Sequence, residues 1–245
     1  LQKYSGFGGI KAVLYTNADR ESWSRQGATD KDLNLLPRIM ELQQLLQNHF
    51  NDKQYTEVIQ SIKNSVLTAF YTPGVVPKTL YTVLKEKNIQ PQSIYEPSSG
   101  TGIFITEAVK SFPKLKHITA VEKDILSGLV LQALSSALSV PVNVHVTGFE
   151  EAPVNDNGKY DLIVSNTPFG NFSVYDEAFP DKELSGKIHN YFFVKGLDKI
   201  ADGGLLAYIT TDAFLNSPSN KTAREYLFGN ADFISLVVMP DNLMK

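Results

Sequence analysis

The sequence contains no cysteine, so neither a disulfide bond nor a thiolate metal site can form. Its four histidines are scattered without the spacing of metal ligands, and we predict no metal site. No apolar run approaches the roughly 20 residues that span a bilayer, and no signal-peptide pattern is seen at the start. We therefore expect a protein that does not enter a membrane and works in the cytoplasm.

Other features that the sequence lacks narrow the class of function further. A phosphate-binding loop would need Gly-Lys-Ser or Gly-Lys-Thr, and neither tripeptide occurs. The net charge of −3 argues against a protein that coats nucleic acid over its whole surface. Any contact with nucleic acid should therefore be local. What is present, 42% hydrophobic and 20% charged residues in 245, is typical of a globular domain with room for an appendage.

The chain changes character at about residue 92. Before this point apolar residues recur at helical spacing, which predicts helices over 32–50 and 55–70. Beyond it, short apolar runs alternate with helical segments, which predicts a mainly parallel sheet with helices on both faces. We predict an N-terminal helical region over 1–70 and a second domain over 71–245. The predicted strands are 93–95, 117–121, 142–146, 162–165, 205–210 and 233–238.

A glycine-rich segment follows the first predicted strand and leads into a helix. It contains Glu96, Pro97, Gly100, Thr101 and Gly102. Small residues let the backbone approach a ligand closely, and a helix N-terminus offers free N–H groups. The acid at the strand end would repel a pyrophosphate, but it would attract a sulfonium or an amino group. Taken alone, the segment also fits a tight strand-to-helix turn.

An acid and an aromatic residue follow the next two predicted strands. Glu122 lies some 20 residues beyond the glycines, where a carboxylate commonly holds the two hydroxyls of a ribose. The alternative is that Glu122 caps the next helix. Phe149 follows the third strand and is placed to pack on an adenine ring, although an exposed loop aromatic fits equally well.

The tetrapeptide Asn166-Thr167-Pro168-Phe169 directly follows the fourth predicted strand. It places a side-chain amide, a backbone carbonyl and an aromatic ring around one point. A ring-conjugated amine is a poor nucleophile, and two acceptors on its N–H bonds would stabilise the charge that develops during methylation. The ring would hold the base by stacking. Asn-Thr-Pro is also an ordinary turn, but all four motifs in this order favour a class I methyltransferase.

With these motifs in order, the chain over residues 70–240 resembles the N6-adenine DNA methyltransferases joined to helicase regions in large proteins of phages and mobile elements. The opening Tyr4-Ser5-Gly6-Phe7-Gly8-Gly9 is a weaker similarity. The resemblance implies a Rossmann-like α/β fold with a seven-stranded sheet and S-adenosylmethionine as cofactor. It also implies DNA as the partner, with the target adenine turned out of the duplex. Further domains of a longer protein are implied as well, for target recognition or as a helicase.

The resemblance assigns roles to the cofactor motifs. The segment that begins at Phe70 would close over the methionine end, which the glycine-rich segment would hold. The acid after the second strand would bind the ribose, and two phenylalanines would sandwich the adenine. The residues assigned to the cofactor in this way are Tyr71, Thr72, Pro73, Glu96, Pro97, Gly100, Thr101, Gly102, Glu122, Phe149 and Phe192.

The resemblance also assigns the catalytic residues. The Asn166 side chain and the Thr167 carbonyl would accept the hydrogens of the target amine, Pro168 would complete the motif, and Phe169 would stack on the adenine. Thr167 stands where proline is common, but only its carbonyl is used. Gly148 stands where many relatives carry an acid for the cofactor adenine, and Glu150 is a candidate replacement.

Three alternatives to DNA adenine methylation stay open. RNA adenine and a protein glutamine side chain both present a planar nitrogen to an Asn-x-Pro-aromatic site. The third alternative is a non-catalytic module that binds the cofactor or DNA. It is favoured slightly by the glycine at position 148 and by the lack of a second aromatic residue near Met239 to clamp the base.

Overall fold

The computed structural model describes residues 19–25, 27–34, 36–65, 71–170, 172–240 and 243. The predicted motif at residues 4–9, Phe70 and the end of the helix predicted over 55–70 lie outside these residues. The chain divides into two compact units. One is built from the described residues up to Tyr71 together with Asp124–Leu126, and the other from Thr72–Lys123 and those from Ser127 onward. No helix in the described ranges is long and apolar enough to cross a membrane.

The first unit is helical because its apolar residues recur on one face of each long helix. Trp23, Ile39 and Val58 are almost completely buried in its core. Asn51 and Gln54 bond to each other's backbone N–H groups and form a capping box where the fourth helix begins. The helices of this unit are α1 (Arg20–Arg25), α2 (Asp30–Leu33), α3 (Leu36–His49) and α4 (Asp52–Ser65).

The second unit is built on five parallel strands in the order β3-β2-β1-β4-β5. The strands are β1 (Ser93–Glu96), β2 (His117–Val121), β3 (Val142–His145), β4 (Tyr160–Asn166) and β5 (Ile200–Ile209). Helices alternate with them along the chain, as parallel pairing requires. The helices are α5 (Val75–Glu86), α6 (Ile103–Ser111), α7 (Ile125–Ser135), α8 (Lys182–Ser185), α9 (Ile188–Lys199), α10 (Asp212–Asn216) and α11 (Lys221–Asn230).

Both faces of the sheet are covered by helices. Successive side chains of a strand point to opposite faces, so neighbouring residues pack in different clusters. On β1, Ile94 packs in a cluster that includes residues of α5, α6 and α7. The next residue, Tyr95, packs in a second cluster with residues of α9. Leu162 and Ile163 of β4 divide between the same two clusters. The predicted α/β architecture with helices on both faces is therefore confirmed.

The predicted number of strands is wrong, because the sheet has five strands in the described part of the chain rather than seven. The run predicted as a strand over 233–238 forms neither helix nor strand and pairs with no other described strand. Its side chains are exposed, among them Ile234 at 75% and Val238 at 86%. An apolar β-branched run favours extended backbone, but a strand also needs a neighbour that supplies hydrogen-bonding partners.

The same substitution at Ile163 and at Ile234 tests the difference between the buried strand β4 and the unpaired segment 233–238. Ile163 is completely buried in β4, so we expect Ile163→Ala to lower the free energy of unfolding by about 2–5 kcal/mol. Ile234→Ala should change it by less than about 0.5 kcal/mol, because that side chain is mostly in solvent. Urea unfolding followed by circular dichroism measures both. Equal losses in the two variants would contradict the five-stranded description.

Candidate active site

The site lies where the strand order reverses, at the carboxyl ends of β1 and β4. These strands are neighbours at the centre of the sheet, and the chain leaves them toward opposite edges. Open parallel sheets bind ligands at this point. The glycine-rich segment follows β1 and the Asn166-Thr167-Pro168-Phe169 motif ends β4. The Ser165 hydroxyl donates a hydrogen bond to the Ser98 carbonyl at 3.2 Å, so the two predicted motifs meet.

The glycine-rich segment is a tight turn that only small residues can form. Gly100 and Gly102 have φ angles of +56° and +87°. A Cβ atom on Gly102 would also lie 2.6 Å from Leu131. The turn is joined to the end of β2, because Ser99 N–H donates to the Val121 carbonyl at 2.9 Å. Without side chains at Gly100 and Gly102, a ligand at the carboxyl end of β1 could approach the backbone closely.

Two predicted cofactor acids stand at the ends of neighbouring strands. Glu96 is 1% exposed, and within the described residues its Oε2 atom accepts no hydrogen bond. Burial raises the pKa of its carboxyl well above the usual range, and the Glu122 carboxylate raises it further. Glu122 accepts a 2.7 Å hydrogen bond from the Gly100 N–H. A buried acceptor without a donor is what a cationic or amino ligand would satisfy.

The predicted N-terminal cofactor motif leads directly into α5, whose N-terminus lies near the helix that follows the glycine-rich turn. Thr72 is buried, and Pro73 leads through Gly74 into α5. A Cβ atom on Gly74 would lie 3.6 Å from Ile103, the first residue of the helix that follows the glycine-rich segment. Tyr71 belongs to the first unit, and its predicted role stays a prediction.

The Asn166-Thr167-Pro168-Phe169 motif is fixed to β5 by its second residue. The backbone N–H and the hydroxyl of Thr167 both donate to the Ile209 carbonyl, at 3.2 and 2.9 Å. Thr167 is 1% exposed, while its three companions are half-buried at the strand end. A proline at 167 has no N–H or hydroxyl and could make neither bond. This anchoring role of the threonine was missed by the sequence analysis.

The two predicted adenine-binding phenylalanines contact each other. The Phe149 and Phe192 ring centroids are 5.1 Å apart at an interplanar angle of 50°, and both side chains are buried. An adenine lying between them would need more space than this arrangement leaves. Together with Tyr95 the two rings form one continuous aromatic wall, rather than two separate surfaces with the adenine between them.

Glu150 reaches back over Gly148, the position at which the resemblance leads us to expect an acid. A Cβ atom built on Gly148 would lie 2.5 Å from the Glu150 carboxyl group. The Glu150 Oε1 atom accepts a hydrogen bond from Lys123 Nζ at 2.5 Å, and Lys123 directly follows Glu122. The carboxylate of residue 150 therefore occupies the space that a side chain at 148 would enter.

A buried charge network beside the site was not anticipated from the sequence. Lys195 of α9, 2% exposed, binds Asp176 Oδ2 at 2.7 Å, and the Tyr191 hydroxyl donates to the same oxygen at 2.6 Å. Tyr191, Lys195 and Lys199 recur every fourth residue on one face of α9, and that face is buried. Lysines on the apolar stripe of a helix are the signal that could have revealed buried ion pairs.

Comparison with known proteins gives a consistent result. The family model described as "Eco57I restriction-modification methylase" matches residues 81–243. Defense against restriction protein B of Escherichia phage P1 is 28% identical over 178 residues, which cover 71% of this chain and 7% of that protein. Modification methylase CviBIII of Paramecium bursaria Chlorella virus NC1A is 28% identical over 202 residues, 77% of this chain and 51% of that protein.

The fold has a counterpart among solved structures. A putative class I S-adenosylmethionine-dependent methyltransferase from Listeria monocytogenes has a TM-score of 0.54 and 13% identity, and covers 90% of this chain and 69% of that one. At this identity the likeness concerns the fold alone. The chain spans about half the length, or less, of the two relatives above.

The raised pKa of Glu96 gives a stability test of the pocket without any ligand. Because the pKa is higher in the folded protein than its ordinary value of 4.5, folding favours the protonated carboxyl. Its contribution is complete below about pH 4.5 and is lost as pH rises through the folded-state pKa. We therefore expect Glu96→Gln to be increasingly more stable than wild type as pH increases from 4.5 to 9, in thermal unfolding.

The exposed Glu86 at the end of α5 provides the matched control. Glu86→Gln should show no such widening gap, because that carboxyl is in solvent. A Glu96→Gln variant whose stability runs parallel to wild type across this pH range would show that burial does not penalise the Glu96 charge.

Proposed function

Because the chain belongs to the Eco57I restriction-modification methylase family, we propose that it methylates the N6 amino group of adenine in DNA with S-adenosylmethionine as the methyl donor. The observation that carries the proposal is the meeting of the glycine-rich turn and the Asn166-Thr167-Pro168-Phe169 motif at the switch point. In this proposal the β1 side of the junction would hold the cationic cofactor, and the β4 side would supply acceptors for the amine.

The chain's own residues fit the cofactor. S-adenosylmethionine supplies an electrophilic methyl group when bound, and its methionine end carries an ammonium group. The buried Glu96 carboxylate would accept hydrogen bonds from that ammonium group, and Glu122 would hold the ribose hydroxyls. The wall formed by Phe149 and Phe192 would contact one face of the adenine. Pro97, Thr101 and the segment of Tyr71, Thr72 and Pro73 would close the methionine end.

The catalytic motif would act on the target base through positioning and hydrogen bonding. The Asn166 amide oxygen and the Thr167 carbonyl would accept the two hydrogens of the amine, which moves its nitrogen toward tetrahedral geometry. The two bonds from Thr167 to Ile209 hold this peptide in place before the substrate arrives. Phe169 would stack on the base. No strong base is needed, because the methylated ammonium product is acidic and releases its proton to water.

DNA is preferred over RNA or protein as substrate because the matching family is one of restriction-modification methylases. We further propose that other domains of a longer polypeptide select the target sequence, since the relatives extend well beyond the matched region. We also propose that the protein works in the cytoplasm. In this proposal residues 1–70 form a helical region, and residues 71–245 form the methyltransferase domain.

The central test is Asn166→Ala. The variant should lose at least about 100-fold in methyl transfer, because one acceptor of the amine is removed. Its affinity for S-adenosylmethionine should stay within several-fold of wild type. Labelled methyl transfer is measured on unmethylated plasmid DNA, ribosomal RNA and a release factor, and the methylated nucleoside is identified by mass spectrometry. Calorimetry measures the cofactor affinity.

The control for this test is Asn230→Ala at the end of α11, a matched change away from the sheet. It should transfer methyl groups at the wild-type rate. Wild-type turnover by Asn166→Ala would exclude the assigned role. Transfer only to RNA or protein, or a methyl group found on cytosine, would overturn the proposed substrate. Tight cofactor binding without transfer to any acceptor would favour the non-catalytic module.

Glu150 provides a separate test of the cofactor pocket. We propose that its carboxylate replaces the acid that Gly148 lacks and binds the adenine amino group. Glu150→Gln should weaken S-adenosylhomocysteine binding by about tenfold, with little effect on binding of the inosine analogue, which has no amino group. The double variant Gly148→Asp/Glu150→Ala, in which the space taken by the Glu150 carboxyl group is vacated, should recover the preference for adenine. An equal loss for both ligands would show that Glu150 is only structural.

A further inference from the structure

An exposed aromatic residue lies just after the catalytic motif, between two neighbours that are partly buried. The segment 172–181, here called the post-motif loop, connects the motif to α8. Within it, Tyr175 is 82% exposed. Its ring contributes little to the buried core, although large aromatic side chains usually bury most of their area. The ring is therefore accessible to a partner outside the chain.

The loop is fastened on both sides of Tyr175. On the N-terminal side, the Phe172 carbonyl accepts a hydrogen bond from the Ile188 N–H at 3.0 Å. Val174 packs against the cluster that contains Tyr95. Exposure therefore alternates along the loop, and Tyr175 is the residue between two inward-facing neighbours, Val174 and Asp176.

Asp176 is the stronger of these two anchors. Its Oδ2 atom accepts bonds from Lys195 and Tyr191, and its Oδ1 atom accepts one from the Ala178 N–H at 2.9 Å. Burial tends to raise the pKa of the Asp176 carboxyl, but the bonds from Lys195, Tyr191 and Ala178 outweigh it and leave the pKa below its usual value. A charge pair that is almost fully buried tolerates little displacement, since a separated partner would remain desolvated and unpaired.

The anchored tyrosine is close enough to the catalytic motif to reach the same DNA. Tyr175 lies six positions after Phe169 in the sequence, and at about 3.6 Å per step the two Cα atoms are at most about 22 Å apart. A base must leave the stack before its amine can enter the site, which costs unpairing and unstacking energy. Because the residues on both sides of Tyr175 are anchored, its ring can stack on an exposed base with little loss of backbone conformational entropy.

We propose that Tyr175 is a DNA-contacting residue that stacks on a base beside the adenine that leaves the duplex, and that the Asp176–Lys195 ion pair positions it. The inference rests on the proposed function and adds a residue outside the Asn166-Thr167-Pro168-Phe169 motif. The role requires the aromatic ring and not the hydroxyl group. It concerns opening of the duplex and neither cofactor binding nor methyl transfer.

The experiment compares paired and already-opened substrates. The methylated site of the wild-type protein is first mapped on plasmid DNA, and two oligonucleotide duplexes containing it are made. In one the target adenine faces thymine, and in the other it faces an abasic position. For Tyr175→Ala we expect kcat/KM to fall about tenfold on the paired duplex and less than threefold on the abasic one. Tyr175→Phe should match wild type on both, and cofactor affinity should be unchanged in both variants.

The exposed Phe228 on α11 supplies a control of the same kind, and Phe228→Ala should behave as wild type on both duplexes. Asp176→Asn, which keeps the Tyr175 ring but weakens its anchor, should show a smaller loss with the same preference for the abasic duplex. If Tyr175→Ala equals wild type, or loses activity equally on both duplexes, the inference is overturned while the proposed function stands. If the wild-type protein methylates no DNA, the proposed function itself fails.

Discussion

The parallel pairing of β1 with β4 is the constraint on which the site depends. Ile94 faces Leu162 and Tyr95 faces Ile163 in this ladder, so the two strands end side by side. Each strand end carries one half of the chemistry, an acid with a glycine turn on β1 and an amide with an aromatic ring on β4. The hydrogen bond from the Ser165 hydroxyl to the Ser98 carbonyl links the end of β4 to the segment that follows β1. In the proposed function neither half would be useful alone, because methyl transfer requires donor and acceptor in line.

Much of this arrangement could be predicted from the sequence, because the order of motifs after successive strands follows from parallel topology. The glycine turn was expected from its small residues, and its positive φ angles at Gly100 and Gly102 agree with that prediction. The number of strands was not predictable in the same way. The residues of an apolar run such as 233–238 favour a β-strand by their own propensity. Strand pairing also depends on a neighbouring strand elsewhere in the chain. The anchoring hydroxyl of Thr167 was missed because its partner, Ile209, is 42 residues away in sequence.

Buried charges on α9 restrict how this helix lies against the sheet. Lys195 pairs with Asp176, and Lys199 pairs with Asp156 at 2.5 Å. Apolar packing alone would allow the helix to shift along its axis, since hydrophobic contacts are not directional. Two ion pairs one turn apart permit only one register, because a shifted helix would leave ammonium groups buried and unpaired. The same register places Phe192 against Phe149 and the post-motif loop beside α9.

Glu96 illustrates how function opposes stability at this site. The carboxylate is desolvated, it stands near the Glu122 carboxylate, and its Oε2 atom has no donor within the described residues. A protein selected only for stability would replace it with a neutral or apolar residue. In the proposed function a cationic ligand would supply both the missing donor and the compensating charge, so that binding would offset the cost of ionising Glu96. On this reasoning the ligand should stabilise the protein most strongly at the pH values where Glu96 is ionised, because there the folded protein without ligand is penalised most.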